Sequence, residues 1–459
     1  MNYCKGCFEK QRKIDELTEE VKRLKVKLNY LERKGQEGCF GSSTPSSQVP
    51  VKANASKENQ GKRGGAKPGH RGHGRQSFDE SEADRVVRVE SEVGDQCPRC
   101  GGPLEDKGTE NHWVIDIPPL KTERILYLLP KRYCPRCQKA YQPAAPGVLP
   151  RSLYGNQLVA TASTMHYLHG IPMGRIIEQI DIGLGALINI FHRLAKIFGN
   201  IPNRLLEQYR QSPVKHADET GWRNDGQSGY VWLFATDKIS LFLFRKTRSS
   251  SVPREVFGNN PLPGTLVVDR YNAYNKVPCA LQYCYSHFLR EVEDIGKEFS
   301  GVDEVKTLVG VLAPLLATAM HLHSLPITDA QFYEQAEKVK RQIMEVVHAP
   351  AQHLAIRRLQ EILHDNANRM YRWAGDRRIP ADNNLAERDL RPTVIARKVS
   401  FGSQSDAGAQ TRGVLMSILH TLKKQTKTDT ASALKTIIDQ LAKDPSLDPY
   451  NLLFPNNTS

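Results

Sequence analysis

Two tetrapeptides of the same form, Cys97-Pro98-Arg99-Cys100 and Cys134-Pro135-Arg136-Cys137, constrain the fold of this chain more than any other stretch. A C-x-x-C turn puts both thiols on one side, and the proline tightens it. Two such turns stand 33 residues apart (Gly101 to Tyr133), with strand-like runs HWVIDIP and ERILYLLP between them. Together they offer four thiolates to one tetrahedral ion and leave no vacancy for water. Cys97, Cys100, Cys134 and Cys137 are therefore expected to hold a structural Zn2+. A pair of redox dithiols is the alternative, against which the matched second pair argues. The opening MNYCKGCFEKQRK is charged and has no apolar h-region, so a reducing cytoplasm is expected and a disulfide framework is not. Cys4 and Cys7 form a third C-x-x-C pair with no partner pair nearby. They read as surface thiols, with half of a metal site shared between two chains as the other reading.

Lysine plus arginine outnumber aspartate plus glutamate 64 to 50, a net charge of +14, which points to a polyanion as partner. The segment GKRGGAKPGHRGHGR at 61–75 holds six glycines, five cations and no acid. Its glycines forbid a stable helix, and Lys62, Arg63, Lys67, Arg71 and Arg75 suit contact with phosphates. A solvated linker is the bland alternative. A phosphate-binding loop is excluded, because His70 stands where the lysine would be needed. Ahead of this strip, Ile14, Leu17, Val21, Leu24, Leu28 and Leu31 repeat at spacings of 3 and 4. That heptad seam predicts a coiled-coil helix and self-association, or else one amphipathic helix docked on its own domain. The longest uncharged apolar run, Leu308 to Met320, has 13 residues, whereas a span needs about 20, so no membrane segment is expected.

Residues 151–210 read as amphipathic helices broken at Gly170-Ile171-Pro172, either a DNA-reading helix-turn-helix or plain helical packing. Three β-rich runs follow, KHADETGWRN, YVWLFATD and SLFLFRK, the first two joined by the turn signal NDGQSG. A short helix, a strand ending at Asp269 and a further strand, LQYCYSH, complete the order. This is the element order of a ribonuclease H-like sheet. In such a sheet the first acid is central in strand one, which places Asp218; the second ends the adjacent strand four, which places Asp269. The third comes from a later helix, which points to Glu387 in DNNLAERDLR. The separations are 51 and 118 positions, and helical segments at 303–374 fill most of the second. So dense a carboxylate cluster needs cations, and Mg2+ is hard and oxygen-loving. Two ions about 4 Å apart can bind the attacking and leaving oxygens of a phosphoryl displacement.

Supporting residues follow from position. His287 and Arg290 lie one helical turn apart in CYSHFLRE, fit to touch the scissile phosphate or DNA backbone, or to be a structural pair. Arg388 and Arg391 flank Glu387 as phosphate clamps or as an exposed charged face. Asp382 is placed to cap the helix that carries Glu387. Trp222, Trp232 and Trp373 read as core, with base stacking as the alternative.

The colinear series of heptad helix, GGAKPGHRGHGR, two CPRC turns, ADETGWR, VVDRYNAY, CYSHFLRE, DNNLAERDLRP, FGSQSDAGAQ and PYNLL resembles the insertion sequence 66 family of Asp-Asp-Glu transposases over nearly the full length. Tyr285-Ser286 precede His287 where a Trp-Ala pair is more usual in that family. The resemblance implies an α/β multidomain chain: a coiled-coil helix at 1–37, a flexible basic linker at 38–84, a zinc-binding β-rich domain at 85–150 and a helical region at 151–210. A ribonuclease H-like catalytic domain at 211–400 follows, with a helical insertion at about 300–375, and then a helical end at 401–459. It implies cleavage at element ends and strand transfer into target DNA, with Asp218, Asp269 and Glu387 holding two Mg2+ (or Mn2+) ions. It also implies a homo-oligomer, accessory transposition proteins, and a cytoplasmic, nucleoid-associated location in a bacterium. Two rival readings remain at this point: a zinc-dependent DNA-binding regulator whose acids are structural, and a ribonuclease H-like nuclease without joining.

Overall fold

A computed structural model describes residues 122–455 continuously, residues 96–104, and separate positions between 13 and 28 and between 79 and 87. Lys62, Arg63, Lys67, Arg71 and Arg75 lie outside the described residues, as do Cys4, Cys7 and Leu31. The described residues fall in two compact units, one within 51–122 and one comprising the rest. Residues 16–25 are helical, and Ile14, Leu17, Val21, Leu24 and Leu28 are all exposed.

After a small antiparallel hairpin, β1 (Arg132–Cys134) and β2 (Lys139–Tyr141), comes a run of helices. These are α1 (Asn156–Ser163), α2 (Met173–Gln179), α3 (Leu184–Ile197) and α4 (Ile201–Gln211). A π-helical turn, Thr164–Leu168, extends α1 to the break that Gly170 and Pro172 impose. The sheet follows: β3 (Val214–Asn224), β4 (Gln227–Ala235), β5 (Ser240–Arg245), a crossover helix α5 (Ser251–Phe257), β6 (Thr265–Val268) and β7 (Ala280–Tyr283). Strand order is β5-β4-β3-β6-β7, with β3, β4 and β5 antiparallel and β6 and β7 parallel to β3. Asp225 and Gly226 both take positive φ, the two-residue turn whose twist matches an antiparallel hairpin. β3 is central, and its residues 215–220 are all buried, which is why polar Lys215, His216, Asp218 and Glu219 each need a specific partner there.

Between β7 and the last part of the chain lies a helical segment: α6 (Tyr285–Glu298), α7 (Asp303–Leu322), α8 (Asp329–His348) and α9 (Leu354–Asp365). α7 is the one described helix long and apolar enough to cross a membrane by length and composition. Here it packs between α6 and α8, burying Val305, Leu312, Leu316, Ala319 and Leu322. The chain returns as α10 (Asn384–Ser400) on β3 and β4, the short β8 (Gly402–Ser403) beside the far end of β3, and α11 (Asp406–Gln425) on β5. α12 (Thr430–Lys443) packs on α1, and α13 (Pro449–Leu453) closes the order. α11 also packs on α3, so the helices before the sheet and those after it share one core. Arg412 of α11 is buried there, bonded to His166 Nε2 at 2.7 Å and stacked on the Trp222 ring. Trp222, Trp232 and Trp373 are all core residues, which removes them as base-stacking platforms in this conformation.

Candidate active site

The β3–β6 ladder pairs Val214 with Thr265, Lys215 with Leu266 and His216 with Val267, an offset of 51. The same offset sets Asp269, one residue past β6, level with Asp218 in the middle of β3. Oxygens of Asp218, Glu219 and Asp269 all lie within 4.8 Å of one another. Adjacent strand residues point to opposite faces. Because the ladder stops at His216, Asp269 stands at the open edge of β3, where both neighbours reach it.

Each member of this cluster is held differently. Asp218 Oδ1 accepts the Glu219 N–H at 2.9 Å, and Asp269 Oδ1 accepts the Tyr271 N–H at 3.0 Å. Glu219 is fully buried; its Oε1 takes Arg248 Nε at 2.9 Å and a terminal guanidinium nitrogen at 2.6 Å, and its Oε2 takes the Tyr274 hydroxyl at 2.5 Å. Arg248 in turn lies over the Tyr271 ring at 3.8 Å, whose hydroxyl donates to the Arg248 carbonyl. A buried ion pair broken on one side costs about 3–5 kcal/mol, so this network fixes Glu219 and Arg248 together. Burial, followed by the charges of Glu219, Asp269 and Glu387, pushes the Asp218 carboxyl well above its ordinary range. Burial and the Asp269 charge raise Glu219 to about 7, against the pull of Arg248 and Tyr274. Asp269 is also raised by burial, with the Tyr271 amide, Arg248 and Arg270 opposing. Three carboxyls raised by burial, two of them also by the charge of neighbouring acids, mark a place where negative charge is concentrated without enough built-in cation to neutralise it, the chemistry that suits a hard divalent ion.

Glu387 sits in the first turn of α10, and the start of that helix is pinned to the sheet. Asn383 bonds His216 Nδ1 at 2.9 Å and the Ala217 carbonyl at 2.8 Å, and its own N–H donates to Cys284 Sγ at 3.2 Å. The helix cap is Asn383 rather than Asp382, whose Oδ1 instead accepts the Asn384 N–H at 3.0 Å. The Glu387 charge raises Asp218, and burial, with the charges of Asp382 and Asp269, raises Glu387, but its oxygens belong to a second group, within 4.8 Å of Cys284 and His287. Its Oε2 is 3.7 Å from Arg290 and its Oε1 is 3.9 Å from His287 Nδ1. Burial, together with the charges of Arg290 and Arg270, drives the His287 pKa down to about 3, so the ring is neutral. Arg388 and Arg391 are exposed on α10, and Arg290 is half-exposed. No sequence pattern singles out Glu219, Arg248, Tyr271 and Tyr274. Strand alternation argues that Glu219 faces away from Asp218, and only the adjacency of VVDRYNAY to HADETGW in space reveals the network.

The two cysteine turns have matching local geometry. In the first, Cys97 N–H donates to the Gly102 carbonyl and Gly101 N–H to the Cys97 carbonyl, both at 2.8 Å. Backbone N–H groups of Arg99 and Cys100, with the Cys100 thiol, lower the Cys97 pKa; Cys137 and Arg136 do the same for Cys134. In each turn the residue after the second cysteine, Gly101 or Gln138, has positive φ. Amides aimed at a thiol stabilise the thiolate that a metal needs.

Comparison with known proteins places the chain in a family. Residues 151–411 match the family model described as the transposase IS66 family, and residues 95–138 match the zinc-finger binding domain of transposase IS66. Among curated proteins, the uncharacterized protein y4jD of Sinorhizobium fredii is 22% identical over 384 residues, covering 74% of this chain and 73% of its own. The uncharacterized protein y4qI of the same organism is 22% identical over 391 residues, covering 74% of this chain and 70% of its own. With most of its length matched, and with a zinc-finger region ahead of the mixed α/β unit, this chain belongs to the IS66 family of transposases.

Proposed function

We propose that this transposase cuts DNA at the ends of its element and joins the freed ends to a target by an Asp-Asp-Glu mechanism in a ribonuclease H-like core. The observation that supports this most is the i to i+51 register, which sets Asp269 beside Asp218 while Asn383 pins the helix that carries Glu387. Asp218, Asp269 and Glu387 would hold two Mg2+ or Mn2+ ions; the donors are all carboxylate oxygens and their raised pKa values fit such ions. Bound there, the ions supply the charge that activates the attacking oxygen and steadies the leaving oxygen of an in-line displacement. Arg290 is placed to contact the reacting phosphate, with neutral His287 beside it. Arg388 and Arg391 extend the phosphate track along α10, and Lys62, Arg63, Lys67, Arg71 and Arg75 add sequence-independent affinity. Cys97, Cys100, Cys134 and Cys137 would hold the zinc ion that the zinc-finger match implies. Joining requires two ends held together, so the protein acts as a homo-oligomer, with the heptad helix as its contact and accessory transposition proteins as further partners.

The test uses purified protein, Mg2+ or Mn2+, and DNA carrying the element ends. Asp218→Asn, Asp269→Asn and Glu387→Gln should each lower cleavage by about 10³-fold or more while leaving DNA binding nearly intact. Substantial residual cutting in any of them overturns the assignment. Salt-dependent binding with no scission by the wild type identifies a regulator, and cleavage without transfer of a pre-cut end identifies a nuclease.

A further inference from the structure

The second ligand-bearing group, Cys284, His287 and Glu387, differs in chemistry from the all-carboxylate cluster beside it. We propose that these three residues form a separate metal site that takes a borderline cation of the Zn2+ class. A sulfur, a ring nitrogen and a carboxylate oxygen lie within 4.8 Å of one another. They come from three places held together by backbone: Cys284 from the junction of β7 and α6, His287 from the first turn of α6, and Glu387 from the first turn of α10. The Asn383 N–H bonded to Cys284 Sγ ties the α10 start to that junction, so the carboxylate is delivered to the other two donors.

The independent observation is one of unmet valence. Among the described residues, both ring nitrogens of His287 and Oε1 of Glu387 are buried and have no hydrogen-bond partner. A buried polar atom left unsatisfied costs about 1–3 kcal/mol, so three in one place ask for an occupant. His287 Nδ1 and Glu387 Oε1 are 3.9 Å apart, too far to bond each other. Donors around a tetrahedral zinc stand about 3.3–3.7 Å apart, given bond lengths of about 2.0–2.3 Å, so a small closure suffices. A thiolate and an imidazole exclude Mg2+ as the preferred guest and favour Zn2+. Three protein donors leave a fourth position open to water or a phosphate oxygen. Because Glu387 serves this site too, zinc held here withdraws it from Asp218 and Asp269. That consequence for catalysis rests on the Asp-Asp-Glu reading above; the existence of the site does not.

The experiment is metal analysis of the full-length chain after stripping and reloading with Zn2+, in the presence of excess Mg2+. Wild type should hold two equivalents, and Cys284→Ser, His287→Gln and Glu387→Gln should each hold one, with unchanged circular dichroism. Co2+ replacement should add a single-thiolate charge-transfer band that Cys284→Ser removes, over a four-thiolate band that it leaves. One equivalent in wild type, two retained in all three variants, or displacement of the second by Mg2+ would each overturn the proposal. A separate arm measures cleavage in Mg2+ as Zn2+ rises past two equivalents, where activity should fall about tenfold or more. No cleavage under any metal would sink the Asp-Asp-Glu reading and leave the stoichiometry result standing.

Discussion

The central sheet and the cysteine turns are built on opposite principles. β3 to β7 bury their apolar residues almost completely: Val231, Leu233, Phe234, Leu266, Val267 and Val268 are all inaccessible to solvent. Around the cysteine turns, Leu104, Ile125, Leu126, Leu128 and Tyr133 are all exposed, and Cys100 and Cys137 face solvent. The sheet is held by many small apolar terms plus a few buried polar locks such as Glu219 with Arg248. Among the described residues the turns bury no comparable apolar set, so a bound zinc would supply the order that the sheet draws from its core. A structural zinc contributes about 10–16 kcal/mol of apparent binding energy in small finger peptides, which is folding energy there.

Removing the ion is therefore the largest perturbation available. Chelation should abolish protection of residues 96–104 and 131–141 in hydrogen exchange or limited proteolysis, while the melting temperature of the sheet stays within a few degrees. If the sheet melts with the turns, or the turns keep their protection, the contrast between the two regions is wrong.

The same contrast explains how much could be read in advance. The cysteine spacing was legible because metal ligation is local and tolerates few residue types. That Asp218 and Asp269 would lie side by side was legible in the element order, which sets the fourth strand beside the first; the pairing offset of 51 appears only in the structure. The order of three antiparallel strands, a helix and two more strands was likewise visible in the runs of apolar residues. Glu219 was not, because its partners Arg248 and Tyr274 come from a loop and a turn whose positions depend on tertiary packing. The division of Glu387 between two groups was hidden as well. It depends on which rotamer the side chain takes once Asn383 has bonded His216 and Ala217.

A smaller effect comes from proton linkage in the sheet. The Asp218 pKa is raised in the folded protein by burial first and then by Glu219, Asp269 and Glu387. Below about pH 4 the carboxyl is protonated in both folded and unfolded chains, and its contribution to stability is fully present. As pH rises the unfolded chain ionises first, so stability is lost until the folded carboxyl ionises too. Metal-free protein should thus lose stability from pH 5 to pH 8. Asp218→Asn, which keeps an oxygen for the Glu219 N–H, should melt higher than wild type at pH 8, with the gap closing toward pH 5. A tenfold difference in proton affinity between the folded and unfolded chains is worth about 1.4 kcal/mol, which moves a melting temperature by roughly 2 °C or more. Saturating Mg2+ should stabilise wild type more than the variant. An offset that is equal at both pH values would show that the cluster carries no excess charge.

The smallest expected effect is also the sharpest comparison, because one substitution can be made in both regions. Gly101 follows the first cysteine turn at φ +74°, and Gly226 closes the β3–β4 turn at φ +71°; a Cβ at either meets nothing within 4 Å. Alanine there brings no clash, only left-handed strain of about 1–2 kcal/mol. Reduced freedom of the unfolded chain offsets about 0.4–1 kcal/mol of it. Equal local costs should have unequal readouts. Gly226→Ala should lower the melting temperature of the sheet by about 2–4 °C, since that turn belongs to the cooperative core. Gly101→Ala should leave that temperature unchanged and weaken zinc about fivefold in a competition titration, because about 1 kcal/mol of strain can appear only in the affinity for the ion. If both variants lower the melting temperature equally, the cysteine turns draw on the same core as the sheet and the ion is not their sole support.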